Sequence, residues 1–296
     1  MKESITMATI HLILQGKGGV GKSMIAAFLY QALRHFGKEV IAYDTDPVNS
    51  TLAAFAEFHV TTLSVMKDGK IDDRSFDSLL EAIMEVSQDA HVIVDNGASS
   101  FIALGAYIQE NDVIEQLEEV GHTVFLHSVI TGGQALGDTS KGLARLAKAF
   151  PESPLVVWLN PFFGEISMDG KRFEDFKIYR EHQEQFHALI PLPEGNKALI
   201  GKDLEELLAR RQSFEAGIKG SSNRRQASPE EILEPTPGPH RAGKYFLIVY
   251  PLSIQKARQI RELLTSKIQS DLADPPKKKK DMWLIKSSTL TFLSRY

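Results

Sequence analysis

The 296-residue sequence contains no cysteine. That excludes disulfides, thiolate zinc sites and cysteine-ligated iron–sulfur clusters. Long apolar runs are missing too: no stretch approaches the ~18 residues that a membrane-spanning helix needs. Charge of one sign is scarce, with a formal net charge of -4, so nucleic-acid binding would need a local patch rather than a global field. Residues 1–9 hold one lysine, one glutamate and no apolar leader-like stretch, and a cytoplasmic location is expected. Met7 is an alternative start, because Met7 to His11 leads directly into a strand-like run. What is present is an ordinary hydrophobic fraction of 43%, enough for one large α/β core or two small ones.

The most informative stretch is Gly16-Lys17-Gly18-Gly19-Val20-Gly21-Lys22-Ser23, between the apolar run Ile10 to Leu14 and an amphipathic segment from Met24. Strand, loop and helix in that order fit G-x-x-x-x-G-K-[ST], a loop whose backbone N–H groups wrap nucleotide phosphates at a helix N-terminus. Glycines 16, 18, 19 and 21 predict a backbone that turns through positive φ and approaches the ligand closely. Lys22 would reach the β- and γ-phosphates, and the Ser23 hydroxyl would hold Mg²⁺. Ile25, Phe28, Leu29, Ala32, Leu33 and Phe36 recur at helical spacing, and Gly37 ends that helix.

Lys17 adds a second lysine at the front of the loop, and here the sequence resembles the deviant Walker ATPases typified by ParA and MinD. The resemblance implies a nucleotide-sandwich homodimer in which Lys17 reaches the partner subunit's phosphates; otherwise Lys17 is a solvated charge near the loop. A second strand, Glu39 to Tyr43, leads to Asp44-Thr45-Asp46-Pro47, at the strand edge where open parallel sheets bind ligands. By resemblance Asp46 orients the hydrolytic water and Asp44 supports the metal and the loop. The alternative for Asp46 is a turn former ahead of Val48, which stands where the family usually has glutamine. His91-Val92-Ile93-Val94-Asp95 reads as a buried strand ending in the acid that holds Mg²⁺. By the resemblance, relatives that share this phosphate loop but carry iron–sulfur clusters depend on cysteines that this chain lacks.

A closer resemblance rests on GKGGVGKS, DTDPVN, VIVDNGASSF, TGGQAL and VVWLNPFFG, which together look like the TraL-type ATPases of plasmid transfer regions. It spans residues 9 to about 268. By the family resemblance, Asn160, ending the strand Leu155 to Leu159, contacts adenine; the other reading is an asparagine that turns the chain before Pro161. Asn196-Lys197 continues into Ala198-Leu199 rather than a guanine signature, so ATP is expected over GTP. Strands are expected at residues 122–127 and 186–190, a short strand at residues 63–66, and helices from Thr51, around Phe76 to Ile83, and from Leu136 to Phe150. Phe162 to Lys171 suggests a hairpin, Thr131 stands where the family has a threonine, and His127 reads as a satisfied core histidine. Later segments are a helix through Leu204, Leu207 and Leu208, an apolar run at residues 245–250, and a helix from Ser253 to Ile268. A membrane-surface role for that last helix is the less favoured reading.

These features predict an α/β P-loop fold, three layers with a mostly parallel sheet and helices on both faces. One ATPase domain is expected over residues 1–272, with a proline-rich linker at 220–243 and a disordered basic tail at 273–296. The expected function is that of a slow, dimerising Mg²⁺-ATP switch in conjugal transfer, partnered by other transfer or cell-pole proteins. ParA-type DNA segregation, a nucleotide-bound scaffold and a small-molecule ligase are the alternatives. Arg210-Arg211 and Arg224-Arg225 are the clusters that would touch DNA phosphates.

Overall fold

The computed structural model describes residues 8–46, 49–63, 65–67, 70–192, 209–213, 215–216 and 265–266. In chain order the elements are β1 (Thr9–Ile13), α1 (Lys22–His35), β2 (Val40–Asp44), β3 (Val60–Thr62), the short pair β4 (Met66–Lys67) and β5 (Lys70–Ile71), and α2 (Asp73–Met84). There follow β6 (His91–Asp95), α3 (Phe101–Glu110), α4 (Val113–Glu119), β7 (Thr123–Thr131), α5 (Leu136–Ala149) and β8 (Leu155–Asn160). The hairpin strands β9 (Ser167–Met168) and β10 (Lys171–Arg172), the helix α6 (Lys177–Glu181) and β11 (Phe186–Pro191) complete the set.

Seven strands form one sheet in the order β11-β8-β7-β1-β6-β2-β3, and every pairing within it is parallel. Apart from the exposed edge strand β3, the strands are largely buried on both faces, which is why they read as near-continuous hydrophobic stretches. The chain steps from β1 outward to β2 and β3, returns through β6, then crosses β1 to β7 and β8. Strand β1 therefore lies where the winding reverses, with its C-terminal end in the crevice that such sheets offer a ligand.

Each face has its own core. On one, Ile10, Leu12, Val92, Val94 and Leu126 pack under α2, α3, α4, α5 and α6 through Phe76, Leu104, Leu117, Leu143 and Tyr179. On the other, Ile13, Ile93, Phe125, Val156 and Trp158 pack under α1 through Ile25, Ala26, Phe28 and Leu29. Fully burying a side chain of this size contributes ~1.5–3 kcal/mol, so the two layers hold β1 and α1 rigidly relative to each other. Gly37, at φ 72, follows the end of α1 in the left-handed conformation that ends many helices.

The observed elements depart from the sequence expectations at several points. The segment from Thr51 makes turns rather than a helix, and Phe55 stacks on Phe58 at 4.8 Å between ring centroids. Strand β7 runs four residues beyond His127 because Ser128 to Thr131 keep pairing with β8. Helices α3 and α4 have no counterpart in the sequence reading. Pro47, Val48, residues 193–208, the proline-rich stretch 220–243, residues 245–250, most of 253–268 and the tail 273–296 lie outside the described residues. Among the described residues no helix is long and apolar enough to cross a membrane.

Candidate functional site: a phosphate loop at the carboxyl edge

The loop between β1 and α1 opens onto a cleft of about 530 Å³ lined by Gly18, Gly19, Lys22, Ser23, Asp46 and Arg211, among others. Helix α1 begins with no side-chain cap and no acidic residue in its first turn. Its N-terminal N–H groups, which most helices satisfy with a serine or aspartate, are thus left for an anion. Gly21 stands at φ 105, and a Cβ there would lie 3.1 Å from the Asn160 amide nitrogen. Of the four glycines expected to turn through positive φ, only Gly19 and Gly21 do so. Gly16 is required for another reason: a Cβ would fall 2.8 Å from the Phe101 ring.

Lys22 is 8% exposed, and its ammonium donates to the Lys17 carbonyl at 3.2 Å. Burial lowers its pKa, while the carboxylates of Asp95 and Asp46 favour the charged form. Asp95 ends β6 beside it, 1% exposed, and among the described residues neither carboxylate oxygen has a well-formed hydrogen bond. Burial pushes its pKa up to about 7; the nearby Ser23 hydroxyl opposes that shift, whereas Asp44 and Asp46 reinforce it. An orphaned buried carboxylate is costly and calls for an explanation. A cation beside Ser23 supplies one, so these two residues fit Mg²⁺. Among the described residues no three His, Cys, Asp or Glu side chains gather as a metal cluster, so phosphate and water would complete the coordination of such an ion.

The other predicted residues fall around the same edge. Both Asp44 oxygens accept backbone N–H groups, Oδ1 from Asp46 at 3.1 Å and Oδ2 from Leu52 at 2.9 Å and Ala53 at 3.1 Å. Asp44 therefore holds the loop that follows β2. Asp46 lines the cleft, and its Oδ1 accepts the Asn49 N–H at 3.1 Å. Gly97 is pressed against it, for a Cβ would lie 2.8 Å from the Asp46 carboxyl carbon. Asn160 uses its amide to bridge β8 and the loop, donating to the Val20 carbonyl at 3.0 Å and accepting the Phe162 N–H at 3.1 Å. Lys17 turns away from Lys22 and pairs with Asp138 of α5 at 2.9 Å; that contact holds the Asp138 carboxyl below its usual range. Thr131 ends β7 buried, its hydroxyl without a partner among the described residues.

Sequence reasoning missed Gln15. Fully buried, it donates to the carbonyls of Val129 at 3.0 Å and Thr139 at 3.2 Å while its Oε1 accepts the Lys17 N–H at 3.3 Å. The phosphate loop is thereby tied to β7 and α5. It missed too the Asn96 hub, whose Oδ1 accepts from Thr45 at 3.1 Å and Ser100 at 2.8 Å, fixing the two carboxylate loops together. A polar side chain directly after an apolar strand was the available signal in both cases.

Residues 11–216 match the profile described as the CobQ/CobB/MinD/ParA nucleotide binding domain. The chain belongs to this family. Two Escherichia coli proteins, each named Protein TraL, are 44% and 42% identical to it over 217 residues, 73% of this chain and 89% of each relative. Solved structures with a similar fold include the MinD cell division protein of Aquifex aeolicus, at 18% identity and TM-score 0.44 over 70% of this chain and 88% of that one. A ParA family ATPase from Chlorobium tepidum aligns at 18% identity and TM-score 0.43 over 70% and 90%. The family match makes residues 11–216 a nucleotide-binding domain, and its phosphate-loop motif lines the cleft.

Proposed function

We propose that this chain is an ATP-hydrolysing switch that dimerises around Mg²⁺-ATP and acts, as its likeness to TraL suggests, in plasmid conjugal transfer. The observation that carries the reading is the uncapped start of α1 facing Lys22, with an orphaned Asp95 and Ser23 beside it. Phosphate oxygens would take the free N–H groups and the Lys22 ammonium, relieving the cost of burying that cation. Ser23 and Asp95 would hold the metal, which when bound neutralises charge on the β- and γ-phosphates. Asp46, held by Asn49 and Gly97, would orient the water that attacks the γ-phosphate. Hydrolysis transfers that phosphoryl group to water, and positioning plus electrostatic stabilisation supply the rate.

Lys17 is aimed at Asp138 of its own chain, leaving room for a partner's lysine to complete the charge at the γ-phosphate. The lysine must exchange Asp138 for a partner's phosphate, which suits a slow device coupled to assembly. Other transfer or cell-pole proteins are the partners this reading implies. The decisive test is Lys22→Ala measured by titration calorimetry with Mg²⁺-ATP. Losing one buried charge-assisted contact should weaken binding at least ~100-fold; unchanged affinity overturns the assignment of the phosphate site.

A further inference from the structure

Arg211 lines the same cleft as the phosphate loop, some 190 residues away from it in sequence. Four non-glycine residues among those described have positive φ, and three are aspartates, the type that tolerates this conformation. The fourth is Arg211, at φ 54. Its turn is anchored rather than free: the Ser213 N–H donates to Glu57 Oε2 at 3.1 Å, and the buried Ser213 hydroxyl accepts the Ala216 N–H at 3.1 Å. Glu57 belongs to the loop that Asp44 holds, so the same scaffold places Asp46 and Arg211 on the cleft.

Charge makes the position meaningful. The charged side chains lining the cleft are Lys22, Asp46 and Arg211, while Lys17 is paired with Asp138 outside it. Without Arg211 the lining carries one cation and one anion, a poor match for a triphosphate. No ion pair engages Arg211 among the described residues, and a guanidinium is suited to bidentate contact with phosphate oxygens.

We propose that Arg211 is a ligand of the terminal phosphate of the bound nucleotide, supplied in cis, and that it distinguishes the triphosphate from the diphosphate. This rests on the ATP reading above and deepens it. It shares the cleft lining with Gly18, Gly19, Lys22 and Asp46, the residues assigned above to the phosphates and the attacking water.

The test is calorimetric titration of the full chain, wild type, Arg211→Ala and Arg211→Lys, with Mg²⁺-ATP and with ADP. Wild-type binding of ATP is the shared control, and its failure would sink the ATP reading itself. Given that control, the expected result is an ATP affinity about tenfold weaker in Arg211→Ala, partly restored in Arg211→Lys, with ADP affinity changed less than about twofold. Unchanged ATP affinity overturns the proposal, as does an equal loss for ATP and ADP. A loss of salt-sensitive binding to duplex DNA with nucleotide affinity intact overturns it in favour of a nucleic-acid contact.

Discussion

Strand β1 carries two polar neighbourhoods a few residues apart, and they are built on opposite terms. At its middle, His11 is fully buried in a hydrogen-bonded row that crosses four strands. The Trp158 indole N–H donates to His127 Nδ1 at 3.0 Å, His127 Nε2 meets His11 Nδ1 at 2.9 Å, and His11 Nε2 meets His91 Nδ1 at 3.0 Å. An indole nitrogen can only donate, so the protons along the row all point from β8 toward β6 and every ring is neutral. Just beyond the same strand, Asp95 and Thr131 are buried with oxygens that make no well-formed hydrogen bond among the described residues. The row of histidines is satisfied within the protein, whereas the carboxyl edge is left wanting a ligand. Polar burial therefore serves stability in the first place and function in the second.

The largest effect expected from breaking this contrast is at the row. His11→Ala removes a ring from a packed layer and leaves the His127 donor and the His91 acceptor facing a cavity, which should cost roughly 3–5 kcal/mol. Urea unfolding measures it; a loss below about 1 kcal/mol would show that the row is not held as a unit. Acid should act on the same bonds. Burial first, then neighbouring charge, lowers the pKa of all three histidines, His91 to about 4 and His127 to about 3. In this sign the unfolded chain binds more protons, so their stabilisation is intact above pH 6.5 and is lost as pH falls toward 4, at about 1.4 kcal/mol per pH unit for each ring.

Asp95 has the opposite sign. Its pKa is raised to about 7 in the fold, so between about pH 4 and 7 the folded state holds a proton that the unfolded state has released. Its contribution to stability falls as pH rises through that window. Asp95→Asn should therefore stabilise the ligand-free protein by about 1–3 kcal/mol at pH 8. It should also steepen the rise of stability between pH 4.5 and 6.5 by about 1.4 kcal/mol per pH unit. The same variant should lose Mg²⁺-dependent ATP binding, whereas in wild type that binding should strengthen as pH rises to about 7 and then level off. Thermal unfolding across pH, with and without Mg²⁺-ATP, checks all three. A destabilised Asp95→Asn would mean that the carboxylate is satisfied after all.

Of these two neighbourhoods only one was legible in the sequence. Gly16 to Ser23 declares strand, loop and helix within a dozen residues, and β6 was placed at His91 to Asp95 from its apolar run alone. A local pattern suffices where one short loop carries a contiguous share of the cleft lining. The histidine row is assembled from strands 80 and 116 residues apart in sequence, and each histidine looks like an interruption of a separate apolar run. His127 was recognised as a satisfied core residue, but its partners depend on strand order, which no spacing reveals. Arg211 was misplaced for the same reason: beside Arg210 it reads as a contact for DNA phosphates, and only the fold brings it to the cleft. Helix α3 went unread because its apolar residues cover most of the turn and leave little periodic contrast, and α4 because its seven residues, with only Val113, Ile114 and Leu117 apolar, are too few to establish a period.

The smallest expected effect on stability, and the sharpest test of the contrast, lies at Lys17 and Asp138. Their side chains are 44% and 54% exposed, so solvent screens the pair and Asp138→Asn should leave the melting temperature unchanged within error. If the carboxyl edge is built for ligands rather than for stability, the consequence should appear in assembly. Freed from Asp138, Lys17 no longer has to exchange one anion for another before reaching a partner's phosphate. In an Asp46→Ala background saturated with Mg²⁺-ATP, sedimentation should show a dimer constant about two- to fivefold tighter for Asp138→Asn. Monomers in both proteins would remove the two-subunit reading. An unchanged dimer constant would mean that Asp138 holds Lys17 no more firmly than water does, and a lower melting temperature would move this pair to the stabilising side of the comparison.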